Sequence, residues 1–148
     1  MKKLILDTDI GVDCDDAVAL ALLMALQKEG FCDLLAISTC TARVGATAAV
    51  RAITDYYGAY DIPCGRMYSP VLPCDRTNNY AEKLMKKYKK AEAEEESVHL
   101  LRKTLAKAQE KVVLVAIGPL TMIVSLAFKE RGRRVFFFVR TRAFAGKG

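Results

Sequence analysis

Short runs that are apolar at nearly every position, separated by helix-like stretches, constrain the fold of this chain more than any other feature. Residues 3–7 (Lys-Leu-Ile-Leu-Asp), 33–40 (Asp-Leu-Leu-Ala-Ile-Ser-Thr-Cys), 111–117 (Lys-Val-Val-Leu-Val-Ala-Ile) and 135–139 (Val-Phe-Phe-Phe-Val) read as strands, with a shorter one at 61–65. A strand with one wet face alternates apolar and polar residues, whereas a continuous apolar run is covered on both faces. Helical stretches lie between them. Residues 15–28 carry Asp15 and Asp16 in the first turn and Lys28 in the last, as the helix dipole favours, and stop by Gly30. Residues 46–57 end at Gly58, 80–110 form one or two charged helices, and 122–129 a last one; 66–79 are loop-like. The alternation predicts an α/β, Rossmann-like fold: a mainly parallel sheet with helices on both faces. In such sheets ligands sit beyond the carboxyl ends of the strands, so the residues just after each strand are where chemistry is sought.

The net charge of +6 suggests nucleic acid only until it is placed along the chain. Residues 129–148 hold seven basic residues and one acidic, while residues 1–128 carry 16 of each. The body is neutral and the tail basic, so no nucleic-acid partner is expected. No stretch approaches the ~18 consecutive apolar residues of a membrane span. The opening apolar run is too short for a signal peptide, so no membrane association and a cytoplasmic location are expected. Cys14, Cys32, Cys40, Cys64 and Cys74 contain no C-x-x-C pair and read as reduced thiols, mostly in or near the core.

The loop after the first strand is Asp7-Thr-Asp9-Ile-Gly11-Val-Asp13-Cys-Asp15-Asp16: five acids in ten residues and no cation. Like charges this close repel, so the loop asks for a counter-charge. A helix N-terminus answers for Asp15 or Asp16, but not for Asp7 and Asp9 at the end of a buried strand. A divalent cation answers for all. The donors are oxygens, with no histidine nearby, so the ion is hard: Ca²⁺ first, Mg²⁺ second. Gly11 suits a tight turn folding the loop back over the ion.

Two stretches then carry a resemblance. Asp7-Thr-Asp-Ile-Gly-Val-Asp-Cys-Asp-Asp-Ala-Val-Ala-Leu20 resembles the D-x-D-P-G-x-D-D signature of the inosine/uridine-preferring nucleoside hydrolases, with Ile for Pro and two extra residues before the Asp-Asp pair. Val115-Ala-Ile-Gly-Pro-Leu-Thr121 resembles the family's V-A-x-G-P-L-T-N turn, and Tyr56–Gly65 more weakly its G-x-x-D-I-P-V-x-x-G segment. The resemblance runs from residue 3 to about residue 128. It implies a Ca²⁺-dependent N-glycosidase of nucleoside salvage that cleaves ribonucleosides to ribose and free base. It implies Asp9 as metal ligand and catalytic base, Asp16 and the backbone carbonyl of Thr121 as further ligands, and Asp15 as the group holding ribose hydroxyls. Asp7 and Asp13 are supporting residues, Asp7 mainly for shape, as an acceptor for the loop's backbone N–H groups.

The chain also departs from the family. Thr39-Cys-Thr-Ala-Arg43 stands where a ribose-contacting Asn is usual, and Met122 follows Thr121 in place of Asn. The family is roughly twice as long. Residues 1–130 therefore read as the N-terminal part of an incomplete nucleoside-hydrolase-like domain, and 131–148 as a basic tail of divergent or frameshifted composition. Alternative readings are a truncated inactive remnant and a haloacid-dehalogenase-like Mg²⁺-dependent phosphohydrolase, whose D-x-D loop also follows a first strand. A nucleoside is the expected substrate, and exposed apolar surface favours a homo-oligomer. His99 reads as an ordinary helix residue, and Tyr56, Tyr57 and Tyr60 as packing residues.

Overall fold

The computed structural model describes residues 1–11, 13–68, 80–88 and 95–120, with the backbone of 136–139. Its strands are β1 (Lys2–Thr8), β2 (Cys32–Thr39), β3 (Cys64–Arg66), β4 (Glu95–Glu96), β5 (Val112–Ala116) and β6 (Phe136–Val139). Its helices are α1 (Asp15–Lys28), α2 (Ala46–Tyr56), α3 (Tyr80–Met85) and α4 (Ser97–Lys107). The six strands form one sheet in the order β4-β3-β2-β1-β5-β6, and every neighbouring pair is parallel.

Two hydrophobic clusters show why the strands are apolar throughout. On one face Leu6, Leu34 and Ile37 meet Leu20 and Met24 of α1, Ala46, Ala49 and Val50 of α2, and Ala81 of α3. On the other Ile5, Ala36, Leu114 and Ala116 meet Leu100, Leu101 and Leu105 of α4. Successive residues of β5 thus serve opposite faces, Val112 and Leu114 toward α4 and Val115 toward α1 and α2. In β2 the register shifts between Leu4 and Ile5 of β1, so that Leu35 and Ala36 both face α4 before Ile37 returns to the other side. Each fully buried Leu or Ile contributes about 1.5–3 kcal/mol of transfer free energy.

Several boundaries differ from the sequence expectation. The charged stretch 80–110 divides into α3 and α4, with the two-residue strand β4 immediately before α4. Glu96 explains the start of α4: its side chain accepts from the His99 N–H at 2.9 Å and caps the helix. His99 itself is an exposed residue of α4, 3.4 Å from Glu95. Tyr56, Tyr57 and Tyr60 do not pack into the core; they are 84%, 38% and 68% exposed, because α2 ends before them or with them and the chain turns outward. Cys32, Cys40 and Cys64 are buried as expected, and Cys14 is exposed. The strand expected at 135–139 is present as β6, whereas Cys74 and the helix expected at 122–129 lie outside the described residues. No described helix is long and apolar enough to cross a membrane.

The strand order locates the site. From β1 the chain steps outward through β2, β3 and β4, then returns across the opposite face to β5 on the other side of β1. The order reverses at β1, which is where the loops after β1 and β5 diverge and leave a crevice.

Candidate functional site

The acidic loop starts in that crevice. Asp7, the penultimate residue of β1, is fully buried. Its register partner in β2 is Ser38, whose Oγ donates to Asp7 Oδ1 at 2.5 Å. The expectation that Asp7 accepts from the loop's backbone N–H groups is corrected: the hydroxyl of the adjacent strand takes that role. Asp7 Oδ2 is buried with no hydrogen-bond partner. Burial, opposed by the Ser38 hydrogen bond and reinforced by Asp9 and Asp16, raises the Asp7 carboxyl to about 8.

Thr8 ties the loop to α1. Its Oγ1 donates to Asp16 Oδ1 at 2.8 Å and accepts from the Ile10 N–H at 3.2 Å. Asp16 is thereby held in the first turn of α1, only 5% exposed. The N-cap position is Cys14, and no side chain caps α1. The acids are therefore not in the loop to cap a helix.

Asp9 and Asp16 lie close enough that each acts on the other's carboxyl group. Burial raises both groups; Asp16 reaches about 7, with Thr8 opposing and the charges of Asp9 and Asp15 adding to the shift. At Asp9 the hydrogen bonds and the charge of Arg43 oppose the rise, and Asp13 adds to it. Beside this pair, Asp13, Asp15 and Asp16 place ligand oxygens within 4.8 Å of one another. The two sets share Asp16. Gly11, with φ of 137°, provides the left-handed turn between them.

The second stretch of the sequence signature closes the pocket. The Ile117 N–H donates to the Asp7 carbonyl at 2.9 Å, and the Cys40 N–H to the Thr8 carbonyl at 3.0 Å, so the ends of β1, β2 and β5 stay in register. A Cβ added at Gly118 would stand 2.5 Å from Cys40 Sγ, 2.8 Å from Asp9 Oδ1 and 2.9 Å from Asp9 N. Only glycine lets the loop after β5 come this close to Asp9. Thr121, the expected carbonyl donor, lies outside the described residues.

These residues fit a hard divalent cation. The donors are carboxylate oxygens crowded on one loop, and beside them Asp7 Oδ2 is buried and unpartnered. Donors on opposite sides of one Ca²⁺ stand up to ~5 Å apart, given its 2.3–2.6 Å bonds, which matches the Asp13, Asp15 and Asp16 spacing. Sequence reasoning brought together all five acids but missed what surrounds them: Ser38 and Thr8, which hydrogen-bond to Asp7 and Asp16, and Arg43 and Tyr80, which lie near enough to interact electrostatically with Asp9 and Asp16. Polar residues at the carboxyl end of an otherwise apolar strand were the available signal for Ser38. Tyr80 had none: it reaches the loop because the Ala81 N–H at the start of α3 donates to the Gly11 carbonyl at 3.4 Å. Burial, with the charge of Asp16, pushes its hydroxyl up to about 12.

Comparisons with known proteins agree with this geometry. The sequence pattern of the inosine-uridine preferring nucleoside hydrolase family matches residues 4–132. The crystal structure of inosine-uridine preferring nucleoside hydrolase from Bacillus anthracis superposes with a TM-score of 0.68 at 27% identity, over 87% of this chain and 45% of that one. The effector protein XOO4466 superposes with a TM-score of 0.69 at 18% identity, over 86% of this chain and 39% of that one, a likeness of fold alone. The chain thus spans less than half the length of either structure. No curated protein matches the sequence.

Proposed function

The chain belongs to the inosine-uridine preferring nucleoside hydrolase family, and from that premise we propose that its acidic crevice binds Ca²⁺ and takes part in hydrolysing the N-glycosidic bond of ribonucleosides. The observation that carries the reading is the close approach of Gly118 to Asp9 at the point where the strand order reverses, with Asp16 held in the same loop by Thr8. In this reading Asp9 and Asp16 hold the ion, with the Thr121 carbonyl. The family match favours this chemistry over that of a haloacid-dehalogenase-like phosphohydrolase.

A divalent cation there supplies Lewis acidity, which makes a nearby water a better nucleophile at neutral pH. The chain's own residues do the rest. Asp9 accepts the proton of the attacking water at its carboxylate. Asp15, exposed at the rim in the first turn of α1, accepts hydrogen bonds from ribose hydroxyls and fixes the sugar. Asp7, buried behind Asp9, holds the end of β1 through Ser38. The surrounding carboxylates favour the positive charge that grows on the sugar as the base departs. Calorimetry with Ca²⁺ is the direct test. The 148-residue chain is expected to bind it, and Asp9→Ala and Asp16→Ala each to lose at least tenfold in affinity. Parental affinity in both variants would place the ion elsewhere.

A further inference from the structure

We propose that the amino-end edge of the sheet is a self-association surface. Two copies of this chain pair there about a two-fold axis, Phe31 of each against Tyr57 and Tyr60 of the other. The proposal is independent of the metal reading, because this surface lies at the far end of the sheet from the acidic crevice.

Placement follows from the topology. The crevice opens at the carboxyl ends of β1 and β5, whereas Phe31 directly precedes β2. Tyr56 ends α2, and Tyr57 and Tyr60 follow it before β3. Lys2 of β1 is the register partner of Cys32, so Met1 stands beside Phe31. α1 and α2 both run back from the carboxyl ends over one face and share one hydrophobic cluster, so their last turns reach this edge together. β1 is 7 residues long, which at ~3.3 Å per residue sets the two ends of the sheet about 20 Å apart.

Size points to a protein partner. Phe31 is 68% exposed, and Tyr56, Tyr57 and Tyr60 are exposed with it. Together the four rings present on the order of 500 Å². A standard interface takes ~800 Å² from each partner, and the flanking side chains supply the rest. Apolar surface gathered at one edge in this way marks an interaction site. The rings are also held in place. The Phe31 N–H donates to the Leu26 carbonyl at 3.0 Å and the Tyr57 N–H to the Ile53 carbonyl at 3.2 Å. The Tyr56 and Tyr57 rings meet edge-on with centroids 5.3 Å apart. Side chains already ordered lose little freedom on association.

Charge selects the occupant. Lys2, Lys28 and Glu29 flank the Phe31 end of the patch, and Asp55 and Asp61 flank the tyrosine end. None of these five has an ion-pair partner among the described residues. One end is therefore basic on balance and the other acidic. A two-fold axis lays the basic end of each copy on the acidic end of the other, with Lys28 facing the partner's Asp61. The acidic end would repel an anionic lipid surface, so a second copy fits the patch better than a membrane does.

Sedimentation velocity on the whole chain in chelator tests this. The parent is expected to be dimeric at about 100 µM and to dissociate on dilution to about 1 µM, as a micromolar Kd requires. Phe31→Ser and Tyr60→Ser are each expected to weaken the dimer at least ~tenfold. Their Tm in dilute solution should stay near the parent's, because both side chains are exposed. Lys28→Glu and Asp61→Lys are each expected to weaken it about tenfold, and the two changes together to restore it to within about threefold of the parent. A parent that is monomeric at the higher concentration overturns the proposal, whether or not it binds vesicles of anionic lipid. So does a dimer that both serine variants leave intact, and so does a double charge swap that restores nothing.

Discussion

Asp7 illustrates what a single buried acid imposes on this protein. It is fully buried, accepts one hydrogen bond from Ser38, and has a second oxygen with no partner. Burial is the main cause of its raised pKa, about 8, and of that of Asp16, about 7. In the folded, metal-free chain both groups keep protons at pH values where the unfolded chain has released them. The native state then binds more protons than the unfolded state, so stability is highest at low pH and falls as pH rises from about 4 to about 8. Melts in chelator should show Tm falling across that window. Asp7→Asn keeps an acceptor for Ser38 and cannot ionise, so its Tm should fall less steeply with pH than the parent's. A variant curve parallel to the parent's would show that Asp7 is not the group that titrates.

At the scale of elements, the turn after β5 is the tightest constraint. Gly118 is placed by β5, whose register with β1 runs from Lys3↔Val112 to Asp7↔Ala116. Any side chain there meets Cys40 Sγ and the Asp9 backbone below 3.0 Å, and neither can swing away. Gly118→Ala is expected to cost about 1–3 kcal/mol by overpacking, measured by urea unfolding. Because the strain falls on Asp9, the same variant should bind Ca²⁺ at least tenfold more weakly. Loss of stability with intact binding would separate the turn from the site. On the opposite face α4 docks Leu101 and Leu105 into a cluster of Ile5, Ala36 and Leu114 that also takes in Cys40, the residue against Gly118.

For the whole molecule the decisive quantity is the number of groups around the reacting centre. Ca²⁺ takes ~6–8 oxygens, and the donors proposed above within this chain are three: Asp9, Asp16 and the Thr121 carbonyl. The chain also aligns with less than half of the Bacillus anthracis structure. Positioning of reactants is worth ~7–11 kcal/mol of a barrier. The 148 residues by themselves are therefore expected to release ribose from inosine or uridine orders of magnitude more slowly than ordinary enzymes do. That residual rate should be suppressed by chelator and absent in Asp9→Ala. Steady-state assays decide it, and chelator-sensitive turnover at ordinary enzyme rates would mean that these residues suffice.

Local sequence alone specified the parallel sheet, because a strand covered on both faces is apolar through its middle, as β1 is at Leu4–Leu6, β2 at Leu34–Ile37 and β5 at Val112–Ala116. It also specified the five acids of one loop, since their crowding is a matter of neighbouring residues. Tertiary structure decided what no local pattern encodes. The strand order put the loops after β1 and β5 on one crevice, which makes Gly118 a site residue. Register put Ser38 beside Asp7. The two-residue strand β4 exists only because β3 offers an edge, and Tyr56, Tyr57 and Tyr60 are exposed because α2 ends at Tyr56 and the chain turns outward there. Contacts of this kind join residues 30 to 110 positions apart, and only packing can bring them together.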